Sequence, residues 1–283
     1  MMMTDEEKKA LNNRLWDKAR NGKRDDILKL IEQGADVNAK DVNGYTALMW
    51  AYLEDRNGIT RLLIEKGADV NVEDKNSDTM LMRACRRGDT EMAQLLLEKG
   101  ANVNAKGKSD WTALMMMCEK DRTDMARLLI EKGADIEAKN IDDRTALMVA
   151  CWHGCTNTVR FLLEKGADVN AKDNEDFTAL MAACKKGHAD IAQLLLEKGA
   201  NVNAEDAYCN TALDYAKDEQ LRKLLEEARK KTEPSHLTET LSGLVEKDNK
   251  ESGVSYSLTE EYARGNDVSF SVSNAALIKN KGR

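Results

Sequence analysis

Residues 34–41 read GADVNAKD, and close copies of this octet begin at Gly67, Gly100, Gly133, Gly166 and Gly199. Consecutive copies start 33 residues apart, with no insertion or deletion. A second column keeps the same register and consists of the threonines Thr46, Thr79, Thr112, Thr145, Thr178 and Thr211. Six copies in register indicate internal repeats, which decide the architecture of the chain.

Each repeat carries the signals of two short helices. In residues 74–106, Thr79 is a typical helix-capping residue, and Gly88 suits the left-handed position that ends a helix. A second helix is predicted from Thr90, with apolar residues at helical spacing up to Gly100. Helices this short are unstable alone, so we expect them to bury their apolar sides against neighbouring repeats in a quasi-one-dimensional stack.

The repeat resembles the ankyrin repeat. The resemblance rests on the period, on the Thr-Ala-Leu opening of the first helix and on runs such as LLLEKGANVN at residues 95–104. It covers about Lys8 to Lys230 and implies an all-α solenoid of about seven helix-turn-helix units with β-turn tips. The predicted divisions are a leader at 1–7, an N-terminal cap at 8–40, complete units at 41–73, 74–106, 107–139, 140–172 and 173–205, a C-terminal cap at 206–230, and a Ser/Thr-rich tail at 231–283.

Three sets of residues at equivalent positions of the repeats lead to further predictions. A column of methionines replaces the usual histidine of the family and should form a continuous ladder: Met49, Met82, Met115, Met148 and Met181. Asp55 and Asp121 stand where the family has a glycine between the helices, and we expect both to adopt left-handed backbone geometry. An asparagine column (Asn38, Asn71, Asn104, Asn170 and Asn203) is expected to hydrogen-bond the loops.

The tail shows no repeat. A short amphipathic helix is predicted around residues 237–245, and alternating apolar residues at 254–258 and 268–272 favour two strands. A small hairpin appendage follows from this pattern, although a two-stranded hairpin alone is marginally stable. A disordered tail with local strand bias is the alternative.

Composition limits the classes of function. The net charge of −7 argues against bulk binding of nucleic acid, which usually needs a basic excess. No apolar run approaches the length of a membrane span, and the first residues lack the pattern of a signal peptide. We therefore expect a cytoplasmic protein in a reducing compartment that binds neither membrane nor nucleic acid.

Catalysis and metal binding find little support. Cys85, Cys118, Cys151 and Cys184 form another column of the same period. A disulfide or metal cluster is one interpretation, but stacked helices lie about 8–10 Å apart, beyond the ~7 Å that disulfide-linked Cα atoms allow. We favour small buried packing residues, and we predict no catalytic residue, no cofactor, no metal and no small-molecule substrate.

The resemblance implies where a partner would bind. In ankyrin-like stacks the contacts lie on the concave face, a name used here for the turn tips together with the exposed sides of the first helices. The predicted partner-binding residues are Tyr45, Arg86, Arg87, Trp111, Lys120, Arg144, Trp152, His153, Phe177, Lys185 and Lys186. Aromatic and arginine side chains are the types that anchor interfaces, and the basic members favour an acidic or mixed-charge partner surface.

The predicted function is a protein–protein interaction module, such as a scaffold or adaptor. The alternative is a stoichiometric inhibitor or immunity-type protein that masks a partner enzyme. Nucleic-acid binding through the basic residues and an enzymatic activity in the tail are less favoured hypotheses.

Overall fold

Paired helices repeat along the chain in a computed structural model, which describes residues 3–232 and two strands of the tail. Within that part, the first helices of the pairs are α1 (Asp5–Asn21), α3 (Ala47–Leu53), α5 (Met80–Arg87), α7 (Ala113–Glu119), α9 (Ala146–His153), α11 (Ala179–Lys186) and α13 (Ala212–Tyr215). The second helices are α2 (Arg24–Glu32), α4 (Asn57–Glu65), α6 (Thr90–Glu98), α8 (Thr123–Glu131), α10 (Thr156–Glu164), α12 (Ala189–Glu197) and α14 (Glu219–Thr232). This arrangement confirms the predicted all-α solenoid.

The threonine column begins the first helices as expected. In five of them the threonine hydroxyl accepts the N–H of the residue three positions later; the Thr79 to Met82 bond, for example, is 3.3 Å long. Gly88 ends α5 with φ of 73°, and Asp55 and Asp121 adopt φ of 55° and 53°. The aspartates therefore occupy the left-handed geometry that glycine provides in other repeats.

The core of the stack lies between successive helix pairs. The first helices pack side by side, with α5 on α7, α7 on α9, α9 on α11 and α11 on α13. The methionine ladder is buried throughout, at 0–3% exposure, and so are five of the six cysteines. Leu, Ala, Met and Cys side chains fill this core. Because it lies between repeats, each repeat buries its apolar side chains against its neighbours.

Side-chain hydrogen bonds join the loop of each of several repeats to the loop of the next repeat. The side-chain oxygens of Asn38, Asn71, Asn104 and Asn170 each accept a backbone N–H from the next repeat, at 2.7–2.8 Å. Where the column changes to Glu137, its carboxylate accepts the N–H of Asp168 at 2.8 Å. The expectation that the asparagine column serves the loops is confirmed for these four positions.

The chain divides into two compact units, residues 1–221 and 222–283. In the second unit, β1 (Tyr256–Glu261) pairs antiparallel with β2 (Ser269–Asn274), and Leu258 lies opposite Val272. Both strands begin slightly later than the alternating runs predict. The predicted helix around 237–245 lies outside the described residues, and the predicted division at residue 230 stays a prediction.

Candidate functional site

Five of the predicted partner-binding residues line one pocket. They are Trp111, Arg144, Trp152, His153 and Phe177, and the pocket has a volume of about 110 Å³. Trp111, Arg144 and Phe177 each precede a capping threonine at a turn tip, whereas Trp152 and His153 end α9. The repeat register thus brings together side chains from three successive units.

The apolar part of the pocket comes from residues that the sequence analysis did not select. Met148, Val149 and Ala182 also line the pocket, and Asp173 completes it. Val149 and Ala182 belong to one column, the fourth position after each capping threonine. The other members of this fourth-position column are Trp50, Arg83, Met116 and Tyr215. The pocket therefore lies where two successive repeats carry small side chains in place of large ones, a signal that the sequence contains.

Asp173 holds one wall of the pocket in place. Its Oδ1 accepts the backbone N–H groups of Glu175 and Phe177, both at 2.9 Å. Its Oδ2 lies 3.2 Å from Nε of Arg144. The carboxylate is almost completely buried, with 1% of the side chain exposed. It therefore fixes the tip that carries Phe177 and the direction of the Arg144 guanidinium.

Trp111 reaches the pocket from a different kind of tip. The position equivalent to Asp173 is Gly107 in its unit, and Ser109 and Asp110 in this tip both have positive φ, of 58° and 59°. The N–H of Gly107 donates to the carbonyl of Trp111 at 2.8 Å, which closes the tip. Trp111, Trp152 and Phe177 are all half-buried, so their rings form walls and are not fully exposed anchors as the sequence suggests.

Two lysines at the end of α11 face these rings. The Lys185 ammonium lies 5.4 Å from the Phe177 ring centroid, 5.9 Å from that of Trp152 and 4.9 Å from that of Tyr215. The Lys186 ammonium lies 4.2 Å from the Trp152 centroid. Both side chains belong to exposed residues, and among residues 3–232 no carboxylate lies within ion-pair distance of either.

Tyr215 supports the same aromatic group from the last repeat. Its ring meets that of Phe177 edge-on, with centroids 5.3 Å apart, and its hydroxyl donates to Asp206. The hydrogen bond to Asp206, together with burial, raises the pKa of Tyr215 to about 12. Burial alone would raise the pKa of Asp206, but hydrogen bonds from Tyr215 and from two backbone N–H groups outweigh it and lower that pKa.

The predicted arginines Arg86 and Arg87 lie elsewhere and are internally paired. Arg86 donates two hydrogen bonds to Asp78, at 2.7 and 2.8 Å, and these bonds raise the pKa of its guanidinium. Arg87 bonds the carbonyls of Tyr52 and Leu53 and the carboxylate of Asp55 at 2.6–2.9 Å. Both guanidinium groups therefore join parts of the stack, and partner binding by these two residues stays a prediction.

Tyr45 and Lys120 are also separate from the pocket. Tyr45 is half-buried, its ring centroid lies 4.9 Å from that of Trp50, and its hydroxyl accepts a 3.1 Å bond from Arg83. Lys120 is exposed and lies 3.8 Å from the carboxylate of Glu119. Within this part of the stack the polar groups find partners inside the chain.

Matches to family models agree with this geometry. The model of ankyrin repeats (3 copies) matches residues 15–107 and 104–173, and the model of ankyrin repeats (many copies) matches residues 162–216. The chain belongs to the ankyrin-repeat family. Ankyrin-repeat domains are generally protein–protein interaction modules.

Solved ankyrin-repeat structures resemble this ankyrin-repeat chain over most of its length. The ankyrin repeat domain of Bcl-3, described as a unique member of the IkappaB protein family, is 24% identical with a TM-score of 0.68; the match covers 75% of this chain and 97% of that chain. The human ASB11 ankyrin repeat domain is 27% identical with a TM-score of 0.64, over 76% of this chain and 96% of that one. A sequence search of curated proteins finds no match.

Among the described residues, no three His, Cys, Asp or Glu side chains are grouped as the ligands of a metal ion would be. In the same part of the chain, no helix is both long and apolar enough to cross a membrane.

Proposed function

We propose that this ankyrin-repeat chain binds another protein through its concave face, with the pocket between Trp111, Trp152 and Phe177 as the main anchor. The single observation that carries the proposal is the pocket itself, because it gathers five predicted contact residues around an apolar interior. Interfaces concentrate their binding energy where aromatic and arginine side chains surround such a desolvated depression.

The chemistry of the pocket favours binding over catalysis. Its carboxylate, Asp173, is buried and accepts hydrogen bonds from two backbone N–H groups and from Arg144, so its bonds hold the structure of the tip. The ammonium groups of Lys185 and Lys186 face the aromatic rings of this region. We propose that the chain is not an enzyme, and that its five buried free thiols suit a reducing, cytoplasmic setting.

The test fills the pocket without changing the fold. Met116 occupies the fourth-position column in the unit at 107–139, so the variant Val149→Met/Ala182→Met places a tolerated side chain in both small positions. The full-length protein and the variant are used to capture partners from a lysate of the source organism. A partner held by the wild-type chain should be lost by roughly tenfold or more from the variant. Equal capture by both would refute the pocket as the anchor.

Adaptor and inhibitor functions separate in a second step. If the captured partner is an enzyme, its activity is measured with and without a saturating amount of the chain. Loss of activity favours the masking function, and unchanged activity favours an adaptor.

A further inference from the structure

We infer that the pocket accepts an apolar side chain from a partner segment that carries carboxylates next to it, so that the ligand is an acidic peptide with one aliphatic or aromatic anchor. This inference rests on the proposed function and names the chemistry of its partner. The two parts of the ligand correspond to two features of the surface, the small apolar depression and the pair of lysines beside it.

The depression sets the apolar part. Its interior is formed by Met148, Val149 and Ala182, which are 2–5% exposed, and by the ring walls. A volume of about 110 Å³ is several times the ~10–15 Å³ that a single water needs on the same measure. One side chain of the size of leucine or phenylalanine can therefore replace the water there and bury its surface against apolar atoms.

The lysines set the charged part. Arg86, Arg87 and Arg144 each have a carboxylate partner within the chain, at 2.7, 2.9 and 3.2 Å. Lys185 and Lys186 have none among residues 3–232, and they face aromatic rings instead. Contacts of an ammonium with a ring leave its outer N–H groups open to another acceptor. These two cations are thus placed to receive carboxylates.

Carboxylates around the pocket have partners of their own, and Asp206 beside Tyr215 accepts the tyrosine hydroxyl. Asp173 and Asp142 lie 3.2 and 3.9 Å from Arg144, and Asp176 lies 3.1 Å from Lys172. Lys185 and Lys186 are therefore two exposed cations that make no ion pair among residues 3–232, on a chain whose net charge is −7. That overall charge disfavours an extended polyanion such as RNA but leaves a short acidic segment of a protein free to bind at this point.

The experiment uses a phage-displayed library of random short peptides, selected on the full-length protein and counter-selected on Val149→Met/Ala182→Met. Enriched sequences should combine Asp or Glu with an aliphatic or aromatic residue within a few positions. A fluorescein-labelled peptide from the selection then reports affinity by fluorescence polarisation.

Charge variants decide the outcome. Lys185→Glu/Lys186→Glu should weaken the labelled peptide by roughly tenfold or more, and binding to the wild-type chain should weaken as salt rises. The matched control is Lys8→Glu/Lys9→Glu, which reverses an adjacent pair of exposed lysines on α1 and should leave affinity unchanged. Far-UV circular dichroism confirms that both variants keep their helices.

Three results would overturn the inference. Enriched peptides could lack acidic residues, an acidic peptide could bind Lys185→Glu/Lys186→Glu as tightly as the wild-type chain, or a labelled poly-U RNA could bind in a lysine-dependent way where acidic peptides do not. If peptides lose affinity for Val149→Met/Ala182→Met yet tolerate the lysine reversal, only the acidic chemistry is wrong and the pocket keeps its function. If no peptide is enriched over the counter-selection, the proposed function fails as well.

Discussion

Replacing Asp173 with alanine should destabilise the repeat stack and disturb the pocket together. The substitution removes one buried carboxylate that accepts two backbone N–H groups at 2.9 Å and one bond from Arg144 at 3.2 Å. The backbone groups belong to the tip that carries Phe177, so the loss acts directly on a wall of the pocket.

The magnitude follows from these contacts. Each hydrogen bond to a charged group contributes about 1.5–3 kcal/mol, and the lower end applies here because the tip can recruit water. The ion pair with Arg144 adds about 0–1 kcal/mol, since 48% of that side chain is exposed. The sum is about 3 kcal/mol, which corresponds to a fall in melting temperature of about 6–12 °C for a repeat domain of this length.

Asp173→Asn is the matched control. Asn140 occupies the equivalent position one repeat earlier, and its side-chain oxygen accepts the same two backbone bonds at 3.0 and 2.9 Å. The asparagine variant should therefore lose only the ion pair and melt within a few degrees of the wild-type chain. Thermal unfolding followed by far-UV circular dichroism measures both variants, and an alanine variant that melts like the asparagine variant would refute the reasoning.

Three more predictions follow from the described contacts. Arg87→Glu should lower the urea midpoint by an amount equivalent to about 1–2 kcal/mol, because three hydrogen bonds to the preceding unit are lost; an unchanged midpoint would show that they contribute nothing. Ellman's reagent should react quickly with one thiol of the native chain, that of exposed Cys209, and with all six after denaturation. The other five react slowly in the native chain because burial raises the pKa of their thiols. A fast phase that survives in Cys209→Ser would contradict this. Tyr215 should ionise near pH 12 in an ultraviolet titration, and Asp206→Asn should bring that transition toward the ordinary value of about 10. Because the folded pKa lies above the unfolded one, the stabilisation from this tyrosine is complete below about pH 10 and is lost as the pH rises toward 12.

Much of the fold could be predicted because its signals are local and periodic. The capping threonines, Gly88 and the left-handed Asp55 and Asp121 act within a few residues of their own position, so the spacing alone identifies them. Because the repeats have a constant period, a helix start or end identified in one repeat is predicted at the same position in the others.

The site was predicted less completely because its side chains find partners in other repeats. Arg87 reaches atoms 32 to 35 residues earlier in the chain, and no local pattern distinguishes it from Lys186, which makes no ion pair among residues 3–232. Val149 and Ala182 were overlooked because small apolar residues look like ordinary core when their column is not compared across repeats.

The fourth-position column has a consequence for how such a protein acquires new partners. The same column position carries large side chains in four other repeats, namely Trp50, Arg83, Met116 and Tyr215. One or two substitutions in this column would therefore close the present pocket between Val149 and Ala182 and open another one several repeats away. The first helices begin at the same register in each of these units, so such substitutions change side chains and not the order of the helices. If the proposed pocket binds a partner, substitutions in this one column would move the binding position from repeat to repeat.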